Sequence, residues 1–535
     1  MVTSGQVVTS ICTECGVPVH FEVGTSQVRC GHCEAGLVVD QGQRLVRLAC
    51  PGCGGNFYYL DGSMSGRCPY CEASLLALSR DRVLRFVIPP ASGAPAEAPD
   101  ASLVLLPFWH MSGLVYGWDV GNQVRVDIDP RGDVVQTGEG YVPVPTTVRR
   151  ESGPKKVFRG RVADRTLADP ATLAHGVTGL RWRAAIFHME PFSEEHERLG
   201  RVVAPTLAID DVRERLRDQV FGLGSVPEGM TQLDCQRMDL VSEELALYYY
   251  PFWVHRSGDD APRIWDGVTG DPEHTSTPSK DVPAAGSTAL FDEMRIIELR
   301  CESCGGPLLA GNRPTVVSCA SCGESWLVAS EGLQPFSAFR AAVQEQVSTS
   351  GAQGPYRELQ PAVGPVVLQT EGAELAWLPF WRVPVRVRFV GQEAFSVADL
   401  AGRLGVSRPQ CTAKAAPPGS PLHYYVAAYG AMRAPRLDHA ARDMTRFQPL
   451  LEPRPASPAG EVFHCFLGPQ DARKLAYAAW IQVLPSSVAA RLRSLRVEPG
   501  EPSLWYLPFE ERKRELVNLV TGLRYERSTF KGLRH

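Results

Sequence analysis

The chain has 535 residues, 44% of them hydrophobic, and a formal charge of -4 from 55 basic and 59 acidic side chains. That length suits three or four domains with ordinary cores, and the near-balance of charge excludes a strongly basic nucleic-acid coat and an acidic disordered chain. Glycine (49) and proline (43) are abundant, so loops and strands should be plentiful. No stretch reaches the 18 apolar residues of a membrane-spanning helix, and Met1 to Ile11 has neither the basic region nor the apolar run of a secretion signal. The expectation is a cytoplasmic, reducing location, where cysteines act as metal ligands or thiols before they act as disulfides.

Twelve of the 15 cysteines fall into three frames of one spacing, C-x2-C-x14-C-x2-C. The first frame is Cys12, Cys15, Cys30 and Cys33. The second is Cys50, Cys53, Cys68 and Cys71, and the third is Cys301, Cys304, Cys319 and Cys322. A C-x2-C turn brings two thiolates onto one ion, and four thiolates at about 2.3 Å complete the shell of structural zinc. Iron accepts the same four sulfurs, and free or disulfide-linked thiols are the remaining alternative. Gly16, Gly54 and Gly305 follow the first pair of each frame, where such a turn needs positive φ. An apolar run begins four residues after each last cysteine, at Leu37, Leu75 and Trp326, which predicts a strand over each metal. His32, inside a C-x2-C turn, reads as solvent-facing and not as a fifth ligand.

These frames resemble zinc ribbons of the rubredoxin-like and transcription-factor-B-like C4 type, over roughly 11–40, 49–80 and 300–330. The resemblance implies three Zn(2+) per chain, each held by four cysteines with no position open for catalysis. Residues 10–75 carry four arginines and six acidic residues, and eight thiolates with two zinc ions take that segment to -6. The third ribbon goes from zero to -2 by the same arithmetic. Both should be repelled by phosphate backbones.

A second signal is an aromatic repeat. Leu106-Pro107-Phe108-Trp109 returns as Tyr250-Pro251-Phe252-Trp253, as Leu378-Pro379-Phe380-Trp381 and, degenerate, as Leu507-Pro508-Phe509-Glu510. Val-Thr-Gly follows the second and fourth copies at 268–270 and 520–522, and a further one lies at 177–179. Ile209 to Val220 has helical apolar spacing, and Gln470 to Val483 occupies the matching place. The order ribbon, PFW, helix, PF(W), VTG therefore occurs twice, which predicts an internal duplication with an extra ribbon on the first copy. Val124, Val126 and Ile128, like Val383, Val385, Val387 and Phe389, alternate with polar or proline positions as in half-buried antiparallel strands. Each PFW proline, lacking an N–H, should sit at a strand start or edge. The aromatics read as core before they read as a binding groove.

The sequence thus divides into ribbon 1 (1–45), ribbon 2 (46–88), a Pro/Ala-rich linker (89–101), β body copy 1 (102–270), a polar linker (271–290), ribbon 3 (291–335) and β body copy 2 (336–535). Pro453 to Gly460 reads as a loop inside the second copy. The fold class is α+β and strand-rich: three C4 ribbons and a duplicated antiparallel β body with a few helices. On this division residues 1–88 could be removed without unfolding the rest, and loss of Cys301 would unfold ribbon 3 alone. Catalytic motifs are absent from the sequence: no H-E-x-x-H, P-loop, G-x-G-x-x-G or G-x-S-x-G. Cys235 and Cys411 have no histidine beside them, and Cys465, next to His464, points to the opposite face of a strand from it. The expected function is a zinc-binding adaptor or scaffold acting through a protein partner. A nucleic-acid-binding or transcription-associated ribbon protein is the alternative, and an enzyme with an unrecognised site the third. The whole pattern also resembles uncharacterised bacterial multi-zinc-ribbon proteins with PFW motifs, a resemblance that brings no activity with it.

Overall fold

The computed structural model describes the chain except residues 1–6, 12–17, 23–24, 26, 32–33, 35, 39–44, 61–64, 79–82, 130–133, 138–139, 144–145, 178–187, 222–229, 257–261, 274–294, 309–313, 320, 330, 342–373, 410–413, 430–438, 454–460, 490, 513–514 and 527–535. The N-terminal strands are β1 (Val7–Ile11), β2 (Pro18–Glu22), β3 (Gln27–Arg29), β4 (Gly36–Val38), β5 (Leu45–Ala49), β6 (Asn56–Leu60), β7 (Ser65–Arg67), β8 (Ser74–Leu78) and β9 (Leu84–Val87). The first body holds β10 (Ser102–Asp129), β11 (Val134–Thr137), β12 (Gly140–Pro143), β13 (Thr146–Ala168), α1 (Pro170–Leu173), β14 (His188–Pro191), β15 (Arg201–Val202), α2 (Ile209–Phe221), β16 (Met230–His255), β17 (Arg263–Asp266) and β18 (Pro272–Glu273). Next come β19 (Arg295–Glu298), β20 (Val316–Ser318), β21 (Ser325–Ala329) and β22 (Gly332–Phe336). The second body holds β23 (Phe339–Arg340), β24 (Glu374–Phe389), α3 (Asp399–Gly402), β25 (Leu422–Ala427), α4 (His439–Phe447), β26 (Glu461–Val462), α5 (Pro469–Lys474), α6 (Ala476–Val483), α7 (Ser486–Ala489), β27 (Leu495–Pro499), β28 (Ser503–Glu511), β29 (Glu515–Asn518) and β30 (Arg524–Glu526). The chain is strand-rich with a few helices, an α+β architecture.

The PFW segments are central strands whose residues are buried on both faces: Phe108, Trp109, Phe380 and Trp381 are all fully buried. Tyr248 and Tyr250 enter one core and Tyr249 another, so the tyrosine run alternates across its sheet. The prolines are not at strand ends, because β10 and β24 run through them. The Pro107 carbonyl accepts from Asp169 N at 3.3 Å, and the Pro379 carbonyl from Ala428 N at 2.9 Å. A residue's N and O point to the same side of a strand, so each missing N–H faces the same neighbour. There the β13 ladder stops at Phe108 and β15 takes over at Leu105; β25 stops at Phe380 and β26 takes over at Trp377. The proline occupies a gap in the ladder where a donor would have no partner.

The two bodies pair in the same register. Pro107 faces Tyr249 and Leu105 faces Pro251; Pro379 faces Tyr506 and Trp377 faces Pro508. β9 lies parallel to β16 with Val87 at Tyr249, and β23 lies parallel to β28 with Arg340 at Tyr506. β15 crosses at Leu105↔Val202 and β26 at Trp377↔Val462. Where one helix, α2, follows β15, the second body has α5 and α6, broken at Leu475. The VTG marks are identical turns: Asp266 Oδ1 accepts from Val268 N and Thr269 N at 2.7 and 3.0 Å, and Asn518 Oδ1 from Val520 N and Thr521 N at 2.9 and 3.2 Å. Gly270 and Gly522 close them at φ 79° and 73°, the freedom only glycine has cheaply. Thr178 and Gly179 lie outside the described residues.

The units read from sequence share sheets. β9 lies between β16 and β14, with Phe86 and Ile88 buried, so a cut after residue 88 would remove an inner strand of the first body. Residues 89–101 are packed and not a free tether: Ala98 and Ala101 bury against Trp265, the Trp253 indole donates to Ser92 O at 3.2 Å, and the Trp265 indole donates to Glu97 at 3.0 Å. Two tryptophans recruit a composition that on its own reads as unstructured. The bodies also join one another, for Leu114, Val120 and Val241 lie in one core with Trp480, Ile481 and Leu484. Trp118 donates to Ala478 O at 3.0 Å, and the Lys156 ammonium donates to Ile481 O and Gln482 O at 2.9 and 3.1 Å and to Leu484 O. The polar linker from 274 onward and the loop at 454–460 lie outside the described residues.

Candidate metal centres

The second and third cysteine frames converge as their spacing predicts. In each group the four sulfurs lie within 4.8 Å of one another. Cys50 Sγ is 3.7 Å from Cys71 Sγ and Cys53 Sγ 3.7 Å from Cys68 Sγ; the matching separations in the third frame, Cys301–Cys322 and Cys304–Cys319, are both 3.5 Å. A tetrahedron with 2.3 Å Zn–S bonds has edges of about 3.8 Å. The sulfurs are therefore spaced for a shared ion, and far beyond the roughly 2.05 Å of a disulfide.

Local hydrogen bonds set this geometry. Cys50 N donates to Gly55 O at 3.0 Å while Gly54 N returns to Cys50 O at 2.8 Å; Cys301 N donates to Gly306 O and Gly305 N to Cys301 O, both at 2.8 Å. The second turn of each frame repeats the pattern at Cys68 with Glu72 and at Cys319 with Gly323. The fourth residue after each leading cysteine sits at positive φ: Gly54 at 74°, Glu72 at 59°, Gly305 at 71° and Gly323 at 80°. The leading cysteine of each pair is buried and its partner exposed, so Cys50, Cys68, Cys301 and Cys319 face inward while Cys53, Cys71, Cys304 and Cys322 line the surface. Burial pushes the Cys68 thiol up to about 12, so a thiolate there needs a cation beside it. Both groups could hold a metal ion such as zinc. When bound it would cross-link two turns with all four positions taken by sulfur.

In the first frame, Cys12, Cys15 and Cys33 lie outside the described residues, as does His32. Cys30 is buried, and Glu34 N donates to its carbonyl at 3.0 Å with Glu34 at φ 58°. That is the turn seen at Cys68. Among the described residues two four-cysteine clusters are placed, where the sequence predicts three.

Sequence spacing gave no sign of how the second and third ribbons combine. β8, the strand after Cys71, pairs antiparallel with β19, the strand before Cys301, from Leu75↔Glu298 to Leu78↔Arg295. Leu76 and Leu78 join Leu299, Leu308, Val317, Trp326 and Val328 in one core that includes Cys301 and Cys319. The third ribbon is also fixed to the second body: Thr315 N and Val316 N donate to Cys465 O at 2.6 and 3.3 Å, and Ser318 Oγ meets the Tyr506 hydroxyl at 3.2 Å. Cys465 is buried, with its thiol on Leu467 O at 3.4 Å. It is a seat for the ribbon. The Cys235 side chain and Cys411 lie outside the described residues. No helix among the described residues is long and apolar enough to cross a membrane. Comparison with known proteins finds no matching family model, curated protein or solved structure.

Proposed function

We propose that the chain is a zinc-binding adaptor that works through protein–protein contacts in the cytoplasm. The observation that carries this reading is the pair of closed four-sulfur centres, which suit structural zinc and leave no ligand position for a substrate. Each centre turns two cysteines and their knuckle backbone outward on a rigid mount. The third ion is assigned to Cys12, Cys15, Cys30 and Cys33 because the frame has the same spacing and the Cys30 turn the same hydrogen bond. Duplication of a ribbon-plus-sheet unit accounts for the shared register of the two bodies, and the sequence divisions then mark its modules, not separable domains. The negative charge of the metal-bound ribbons weighs against phosphate backbones.

The test uses the full chain. Elemental analysis should give three zinc ions. Affinity capture from the native cell, identification by mass spectrometry and reconstitution with the purified candidate should yield a stoichiometric complex that zinc removal abolishes. Tight DNA or RNA binding at about 0.15 M salt, the physiological ionic strength, without such a partner would overturn the reading in favour of the nucleic-acid alternative.

A further inference from the structure

We propose that the outer edge of β13 is a docking site for an extended, acidic segment of a partner protein, taken up by strand addition. This rests on the adaptor reading and names where one partner binds. β13 is the terminal strand of its sheet. It is 23 residues long, its inner side pairs with β10 from Thr146 to Ala168, and among the described residues no strand pairs its outer side.

The second body treats the same position differently. The counterpart of β13 is β25, since Ala168 faces Phe108 as Ala427 faces Phe380. There α4 and the residue after it close the edge with side chains: Thr445 Oγ1 accepts from Tyr425 N at 2.9 Å, and Gln448 Oε1, just past the helix, accepts from His423 N at 2.8 Å while its amide donates to His423 O. Beside β13 lie α2 and the short α7, and among the described residues no further strand pairs with it. Its faces, however, are held. Ala163 packs in one core with Val212, Leu216 and Val220 of α2, and Lys156 is tied to the end of α6. A strand clamped on both faces with one side unpaired is pre-ordered for an incoming strand.

Charge selects the partner. Residues 146–168 contain seven cations (Arg149, Arg150, Lys155, Lys156, Arg159, Arg161, Arg165) against Glu151 and Asp164, in a chain of net -4. Arg159 is paired with Asp119, and Arg161 donates to Val220 O; Lys155 and Arg165 are exposed. Between them Val157 and Val162 are 38% and 56% exposed; five residues apart, they lie on opposite faces of the strand, so an added strand meets one valine on each face, with Val157 on the face of Lys155 and Arg165. A second copy of β13 would bring like charges together, the usual guard against edge-to-edge self-association. Single-stranded nucleic acid needs aromatic platforms, and Phe158 is turned inward onto Tyr116 and Trp118. An acidic extended peptide satisfies the backbone, the valines and the charges together.

The experiment uses zinc-loaded full-length protein and a fluorescein-labelled decapeptide of glutamate and valine that carries both residues on each face of its extended chain. Fluorescence anisotropy should show saturable binding that weakens with salt, and hydrogen exchange should slow across 155–165. The same peptide N-methylated at alternate residues should bind at least tenfold more weakly, as should the unmodified peptide with a Lys155→Glu, Arg165→Glu double variant of unchanged circular dichroism and zinc content. Equal binding of the N-methylated peptide, protection mapping elsewhere, competition by single-stranded DNA or RNA, or no binding up to about 1 mM, where affinity falls to about 4 kcal/mol, would each overturn the proposal. A zinc-dependent natural partner that still binds the double variant would sink the proposal and leave the adaptor reading standing.

Discussion

The two β bodies run the same ladder and finish it in opposite ways. In the first, β10, β13 and β16 extend to 28, 23 and 26 residues; in the second, β24, β25 and β28 have 16, 6 and 9. The second body turns α4 back over β25 and closes its edge. The first carries its strands onward and lays them on α5, α6 and α7 of its sister, through Trp118, Lys156 and the backbone of Ser242, whose N–H meets Asp471 at 2.9 Å. A shared register thus fixes the centre of each sheet and leaves its margins free to become an arm in one case and a capped edge in the other.

The largest perturbation of this arrangement should come from the third cysteine cluster, whose ribbon touches both halves. Structural zinc contributes on the order of 10–16 kcal/mol to small finger peptides. Because Cys301 shares its core with Leu76 and Leu78, Cys301→Ser should lose hydrogen-exchange protection in β8 and at 463–467 as well as in 301–328. Protection loss confined to 301–328 would show the β8–β19 pairing to be mere contact. Trp118→Ala, which removes a half-buried ring of the arm and its hydrogen bond to Ala478 O, should cost about 2 kcal/mol in a urea melt and deprotect α6 while leaving the β10–β13 ladder slow to exchange.

Acid should act mainly on the second body. Burial, and next the Arg382 guanidinium, holds His423 down at about 4, and the first body has Asp164 at that register position. The unfolded chain takes up this proton near pH 6.5 and the folded chain only near 4. Stability is therefore intact above pH 6.5 and falls by up to about 3 kcal/mol as pH drops through that window. Urea melts at pH 7 and 4.5 should show the loss, and His423→Gln should remove it. The smallest effects compare the twin turns. Asp266 accepts two backbone N–H groups and the Tyr250 hydroxyl, so Asp266→Ala should cost about 2 kcal/mol. Asp266→Asn should cost under about 1 kcal/mol, since Asn518 makes the same turn. Equal costs in thermal melts would mean that the carboxylate charge, not the turn, matters.

The cysteine frames, the repeated aromatics and the two VTG marks with their glycines were legible because each depends on residue type at short range: a thiolate pair, a proline before an aromatic, a glycine at positive φ; the Asp266 and Asn518 side chains that hold those turns were not. The joints were not. Leu75 to Leu78 reads as a strand over its own metal, and no local signal says that Arg295 to Glu298 will pair with it. Pro107 and Pro379 were expected at strand ends because a sequence shows the missing N–H and not the gap in the neighbouring ladder. Residues 89–101 read as a linker because Trp253 and Trp265, which order them, lie more than 150 residues away. α4, which closes the β25 edge, was not foreseen at all. Its nine residues are too short to stand out as a periodic pattern.

The arm resting on the second body also orders events during synthesis. Leu114, Trp118, Val120 and Val241 find their cover only when Trp480 to Leu484 has emerged, some 240 residues after Val241. At about 5–20 residues per second, the apolar face of the arm waits roughly 12–50 s on the ribosome without its partner surface. Nascent chains stalled before residue 470 should therefore bind a hydrophobic dye or recruit a chaperone, and chains stalled far enough past 489 for the helices to clear the exit tunnel should not. The feature that welds the finished protein into one body is thus the one that leaves it exposed while it is being made.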